Sequence, residues 1–378
     1  MNIGIVCYPT FGGSGVVATE LGHALAKKGH KVHFITYNQP VRLDILETNI
    51  YYHEVNVKDY PLFQYQPYEL ALSSKMVNTV IDEKLDVLHV HYAIPHAYAA
   101  FMAKQILKDR GIHISVITTL HGTDITLVGK NPSYKEAVEF SINHSDCVTS
   151  VSESLKQQTY DFFNCRKEIR VIPNFIDLSL YEGDQNCAKA NLASEGQKIV
   201  THISNFRKLK RTQDVVKVFH GIWKEIPAKL ILVGDGPERV KAEQLAKDLG
   251  MGRDVIYLGK TTEVERVLCA SDLFILPSES ESFGLAALEA MAAEVPVISS
   301  NAGGLPEVNI DGVTGYISPV GDIDDMVKNS LSILTDELKL AQMKQGAREQ
   351  AEKFELEKIL PQYENLYKEI VAVKQPVS

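Results

Sequence analysis

A chain of 378 residues is long enough for two domains, each with its own core. Its hydrophobic share of 45% and charged share of 23% are ordinary for a globular protein, and a net charge of −9 excludes a general binder of nucleic acid or anionic membrane. No apolar run reaches the ~18 residues that a membrane span needs.

The first residues, MNIGIVCYPTFGG, read as a strand without a charged leader, and the expected location is cytoplasmic. The five cysteines, Cys7, Cys147, Cys165, Cys187 and Cys269, show no paired spacing and are expected as reduced thiols.

Strands and helices alternate from the start. NIGIVCY is followed by the glycine turn FGGSG and a helix, VVATELGHALAKKG, that stops at Gly29. KVHFITY and IYYHEVNV come next, then a helix over residues 68–84 and the strand DVLHVHY. The helix AYAAFMAKQILKD leads to ISVITTLHG, CVTSVS, the helix SLKQQTYDFF and the strand IRVIPN. Such alternation predicts a parallel sheet with helices on both faces over residues 1–174. The polar stretch 175–197 breaks the rhythm and is expected to connect the domains.

Alternation then restarts with KIVTHISNF, a helix over 213–226, AKLILVGDG, a helix over 238–249, DVIYLG, EVERVLCAS, DLFILPS, a helix and VPVISS. This predicts a second doubly wound α/β domain over 198–354. The remainder reads as helical, with a last helix in 355–378 that Pro361 should kink or break.

The most informative stretch is SESESFGLAALEAMAA at 278–293. It lies between a buried strand and a helix, where free backbone N–H groups and the helix dipole attract an anion. Gly284 allows close approach to the backbone. Glu281 precedes the helix and Glu289 lies inside it; carboxylates accept hydrogen bonds from hydroxyls, as on a sugar or ribose. The bland alternative makes Glu281 a solvated loop acid and Glu289 an exposed helix residue. Against it, nearly every neighbour of Glu289 is apolar, and a buried carboxylate needs a partner.

SNFRKLKR at 204–211 places Arg207, Lys208, Lys210 and Arg211 at the end of a strand, ahead of a helix. In an acidic protein at a sheet's binding edge, this reads as an anion site rather than a solvated face. VGDGPER and SNAGGLPEV end further strands at the same edge and take supporting roles. FGGSG is not G-x-G-x-x-G, and the second strand ends in TYNQPVR without an acid for a ribose, which disfavours a nucleotide-dependent dehydrogenase. No D-x-D ends a strand, and the twelve histidines form no H-E-x-x-H or Cys/His cluster. No metal is expected.

The two glutamates with seven residues between them, around Phe283-Gly284-Leu285, resemble the E-x7-E motif of retaining GT-B glycosyltransferases, the large family that includes sucrose, trehalose and mycothiol-pathway enzymes. The resemblance covers essentially the whole chain. It implies two Rossmann-like domains facing across a cleft, the first for the acceptor and the second for the nucleotide-sugar donor, with the last helix crossing back to the first. It assigns Glu281 to the donor sugar and Glu289 to the ribose, with Phe283, Gly284 and Leu285 in the donor loop. Arg207 and Lys210 hold the diphosphate, with Arg211 the alternative to Lys210, and Gly13 and Gly15 approach it from the first domain. His121 lies near the anomeric carbon.

Within the family, CYPTFGGSGVVATELG, TTLHGTDITLVG, SVSESLKQQT and SNFRKLKR resemble the bacterial members that join N-acetylglucosamine, from UDP-GlcNAc, to L-malate on the way to bacillithiol. Tyr92 matches an acceptor-contacting tyrosine. Ser14, Tyr92, Thr119 and Arg42 are the acceptor candidates, Ser14 and Tyr92 first among them. No cofactor is implied, and a homo-oligomer is left open. The competing readings are another acceptor, or a UDP-sugar epimerase or hydrolase. The latter needs additional acids at strand ends, and none is seen.

Overall fold

The structure is a computed structural model that describes residues 1–10, 12–57, 64–182, 187 and 192–372. The chain divides into two compact units, one of residues 1–174 with 357–378, the other of residues 175–356. The stretch expected as a connection is therefore grouped with the second unit, and part of it lies outside the described residues.

The first unit holds a seven-stranded sheet ordered β3-β2-β1-β4-β5-β6-β7. Its strands are β1 (Asn2–Val6), β2 (Lys31–Thr36), β3 (Ile50–Glu54), β4 (Val87–His91), β5 (Ser115–Leu120), β6 (Cys147–Ser150) and β7 (Ile169–Val171), all paired in parallel. The second unit holds a six-stranded parallel sheet ordered β10-β9-β8-β11-β12-β13. Here β8 is Lys198–Ile203, β9 Ala228–Val233, β10 Val255–Gly259, β11 Leu273–Leu276, β12 Val297–Ser300 and β13 Gly315–Ser318. The central strands are almost wholly buried because helices cover both faces and leave no solvated side. Each sheet reverses its winding once, between β1 and β4 in the first and between β8 and β11 in the second. In such sheets ligands bind at the carboxyl ends beside that reversal.

Three elements differ from the sequence expectation. A helix at Pro132–His144 went unread; Asn131 caps it by accepting from the Ser133 N–H at 3.0 Å, with Pro132 in its first turn. The sixth strand of the second sheet, Gly315–Ser318, is only four residues long and was missed as well. Pro361 does not break the last helix, which runs from Leu356 to Ala372. Proline removes one backbone bond near the helix start, while Ile359, Leu360, Tyr363, Leu366 and Tyr367 are all buried and hold the helix in place.

That helix belongs to the first unit by its contacts. Tyr367 Oη is 2.8 Å from His89 Nδ1 on β4, and Arg170 grips Glu369 with two bonds of 2.7 and 2.6 Å. His30 Nε2 lies 3.1 Å from Glu364. A further correction concerns the thiols: Cys187 and Cys269 are joined as a disulfide, with Cα atoms 5.6 Å apart. A pairing across 82 residues leaves no mark in local spacing.

Candidate active site

In the second unit the reversal point is built from the loops after β8 and β11. His202 fixes the first loop, its Nδ1 donating to the Ile275 carbonyl at 2.8 Å and its Nε2 accepting from the Ser204 hydroxyl at 2.8 Å. The Phe206 N–H in turn donates to Ser204 Oγ at 3.2 Å. Phe206 is buried at φ +38°, and the chain then runs outward through exposed Arg207 and Lys208. Lys210 turns back and forms an ion pair with Glu281 of the other loop. Both partners are largely shielded from solvent, at 18% and 12% side-chain exposure, so the pair is screened less than a surface bridge.

The loop carrying Glu281 is braced on every side. The Glu279 N–H donates to the Leu209 carbonyl at 2.7 Å, Ser300 Oγ to the Ser278 carbonyl at 2.5 Å, and the Gly304 N–H to the Glu281 carbonyl at 2.9 Å. Ser278 Oγ adds a bond to the Glu281 carboxylate at 3.1 Å. Gly303 is the residue that permits this packing: at φ +55°, a Cβ there would lie 1.9 Å from the Glu281 carbonyl oxygen. Gly284, at φ +99°, then opens the eight-residue helix Leu285–Ala292, whose first amides have no side-chain cap. Leu285 and Glu289 are half-buried on it.

Arg211, the alternative to Lys210, is engaged elsewhere. Its Nε and Nη2 lie 2.6 and 2.5 Å from Asp214 Oδ2, three residues on in the next helix. Phe283 also departs from the expectation of a donor contact, because its ring is buried edge-on against Phe354, 5.5 Å between centroids. An aromatic side chain between two polar loops is pulled to the core by its area.

The first unit repeats the plan at its own reversal point. Gly12, Gly13 and Ser14 open the helix Gly13–Lys27 after β1, and Gly15 is pressed on the turn, where a Cβ would stand 2.6 Å from the Tyr8 carbonyl oxygen. Tyr92 follows β4 at φ +85°, an uncommon conformation for a bulky residue, and its hydroxyl is 2.8 Å from Ser14 Oγ. His121 follows β5, with Nε2 at 2.8 Å from His91 Nδ1 and its ring 5.2 Å from that of Tyr92. Burial pushes the His121 imidazole down to about 3, helped by His89 and His96. It is therefore neutral at ordinary pH and can share a hydrogen bond but brings no charge.

Asp124 had no assigned role in the sequence reading. Its carboxylate accepts from the N–H groups of Ala93 and Gly122, both at 2.9 Å, and so ties the loop bearing Tyr92 to the loop bearing His121. Burial raises it to about 6 against the pull of those amides. The Asp two residues after Gly122 in HGTD is the usual signature of a side chain bonding to its own turn, and that signal was available.

Two acceptor candidates are placed differently from expectation. Thr119 is fully buried, its hydroxyl 2.7 Å from both His89 Nε2 and Thr149 Oγ1, so it serves the sheet interior rather than a ligand. Arg42 is half-buried and paired at 3.4 Å with Glu20 on the first helix. Ser14, Tyr92 and His121 are brought together, and Arg42 is held by Glu20.

Two wound sheets, each with its polar groups at the strand reversal, define a glycosyltransferase of the GT-B fold. A family model described as "Glycosyl transferases group 1" matches residues 184–350, and one described as "Glycosyltransferase Family 4" matches residues 11–180. The chain belongs to the family of the N-acetyl-alpha-D-glucosaminyl L-malate synthase of Bacillus anthracis, with 49% identity over 98% of this chain and 97% of that one. Among solved structures, sucrose-phosphate synthase from Thermosynechococcus elongatus is similar at TM-score 0.82 and 21% identity, covering 99% of this chain and 100% of that one. Anabaena HepE in complex with UDP-glucose is similar at TM-score 0.83 and 20% identity, covering 98% and 100%. At those identities the two structures speak for the fold alone. Among the described residues no helix is long and apolar enough to cross a membrane.

Proposed function

We propose that this glycosyltransferase moves N-acetylglucosamine from UDP-GlcNAc to the hydroxyl of L-malate, with retention at the anomeric carbon, as the first step towards bacillithiol. The observation that carries the reading is the 49% identity along nearly the whole of both chains to a synthase of that name.

In this reading the second unit holds the donor. Arg207 and Lys210 meet the diphosphate together with the free amides at Leu285, and Glu289 takes the ribose hydroxyls. Glu281 takes the sugar hydroxyls and hands Lys210 over to phosphate as the donor arrives. Gly13 and Gly15 supply further backbone to the diphosphate. Ser14 and Tyr92 orient the acceptor, and neutral His121 hydrogen-bonds the sugar.

The acceptor oxygen forms its bond to the anomeric carbon on the face from which UDP departs. The bond from that carbon to the phosphate oxygen breaks, and the acceptor proton passes to that oxygen. Preorganised cations and amides stabilise the leaving charge, so the chemistry uses neither a metal nor a covalent enzyme intermediate.

Incubation with UDP-GlcNAc, with and without L-malate, tests this directly. UDP release that depends on malate, with an α-linked product, is the expected result. Equal UDP release without malate would identify a hydrolase or epimerase instead.

A further inference from the structure

We infer that the first unit carries a divalent transition-metal site, of the class that takes Zn²⁺, made by His33, His53 and Glu83. One ligand atom from each of the three lies within 4.8 Å of the others.

The strand register sets the two imidazoles together. His33 pairs with Tyr51 across β2 and β3, so His53, two residues further along β3, points to the same face of the sheet. His33 Nδ1 is 3.0 Å from His53 Nε2. Two nitrogens bound to one tetrahedral Zn²⁺ at ~2.0–2.1 Å stand about 3.3 Å apart, so the imidazoles already lie near the spacing an ion imposes. Glu83 ends the helix Tyr68–Glu83 and supplies the oxygen. A modest side-chain rotation brings a carboxylate from that distance into coordination.

The setting of His33 favours a ligand set over a plain histidine pair. The His33 ring is stacked on Tyr51 at 4.6 Å between centroids and 13°, which fixes its orientation.

The place argues for a structural rather than a catalytic ion. Asn2, the first residue of β1, donates its Nδ2 to the Glu83 carbonyl at 3.0 Å. This helix end therefore sits by the amino ends of the strands, whereas Ser14, Tyr92 and His121 follow the carboxyl ends of β1, β4 and β5. Two histidines and one carboxylate leave a fourth position for water. An ion here clamps the edge strand β3 to β2 and to the helix above them, where among the described residues no further strand supports it.

The test is titration of metal-free protein with Zn²⁺ against a chromophoric chelator, with thermal melting followed in parallel. The expected result is one saturable Zn²⁺ per chain, a raised Tm, and turnover with UDP-GlcNAc and L-malate unchanged. His53→Ala, at a half-exposed position, should abolish that binding. Glu83→Gln should weaken it by at least about tenfold, since even outer-shell partners are worth about 10- to 100-fold in affinity. Co²⁺ in place of Zn²⁺ should give the visible bands of a four-coordinate site in the wild type and not in His53→Ala. Absence of saturable binding, or equal Zn²⁺ affinity in wild type and His53→Ala, overturns the proposal and leaves the two histidines as a hydrogen-bonded pair only.

Discussion

Lys210 and Glu281 form an ion pair although they are 71 residues apart, and they meet where the second sheet reverses its winding. Ser14 and Tyr92 meet in the same way in the first sheet, 78 residues apart and 2.8 Å between hydroxyl oxygens. The pair in the second unit couples the loop meant for phosphate to the loop meant for sugar, and this sharpens what each glutamate should do.

Glu289→Gln should weaken UDP as well as the UDP-sugar under the proposed role of Glu289 as acceptor of the ribose hydroxyls. The expected loss is about 1.5–3 kcal/mol for a charged hydrogen bond. Glu281→Gln releases Lys210, so UDP affinity should hold or rise while turnover falls. Calorimetric titration of UDP against both variants decides it. Weakening of UDP by Glu281→Gln alone would show the nucleotide placed the wrong way round along the helix.

Arg207→Ala should fold normally, since the residue is exposed at the end of β8. Its turnover should drop by roughly 2–4 kcal/mol in transition-state stabilisation, as for loss of a preorganised donor. The kcat/KM of the purified variant, with its circular dichroism as a check on folding, is the measurement. Near wild-type turnover would sink the diphosphate assignment.

Gly303→Ala places a Cβ 1.9 Å from the Glu281 carbonyl and asks alanine to adopt φ +55°. The loop must move, taking Glu281 with it. Activity should fall by more than tenfold (~1.4 kcal/mol), with a melting temperature that changes less than that of a core variant. Full activity would show that the brace between these loops is dispensable.

Excess EDTA should leave turnover intact under the proposed mechanism, in which side chains and amides meet the leaving-group charge. A structural ion at His33 and His53 would then show only as a lowered Tm. Complete loss on chelation, restored by Mg²⁺ or Mn²⁺, would mean that the donor site had been misread.

Acid should destabilise this protein early. Burial, the largest cause in each case, holds His89 and His121 near 3 and His96 and His202 near 4. Above pH ~6.5 both folded and unfolded chains keep these rings neutral. Below it the unfolded chain takes up protons that the folded chain refuses. Stability is therefore lost as pH falls, on the order of 1.4 kcal/mol per pH unit for each such ring. Asp124 acts in the opposite sense: the folded state protonates it near 6 and the unfolded state near ~3.9, which offsets about one histidine in that window. Urea unfolding at about pH 5 and about pH 7 checks the slope, and a flat profile would falsify this account.

The wound sheets were legible because apolar runs recur between glycine turns, and the E-x7-E pattern marked the loop after β11, beside the reversal of the second sheet. Side-chain direction was not legible. Phe283 stands just before the helix Leu285–Ala292 and Thr119 near the end of β5, yet one enters a core and the other a buried hydroxyl chain with His89 and Thr149. Nor does spacing report that Arg211 pairs with Asp214 while Lys210 pairs with Glu281. His33 and His53 became a cluster only through the register of an edge strand, which no pattern in the sequence reports.

The first unit is built from two ends of the chain, because its core is closed by Tyr363 and Tyr367, each wholly buried, on the helix that follows the second unit. During synthesis the ribosome therefore releases six hundred ångströms' worth of chain, ~180 residues at ~3.4 Å each, between the sheet and its last supporting helix. Until then His89 lacks its tyrosine partner and the apolar floor beneath β4 stays open. The second unit is contiguous and can finish first, so the half made earliest should be the half that matures last. A fragment of residues 1–174 should accordingly aggregate, and a circular permutant that begins at the last helix should fold.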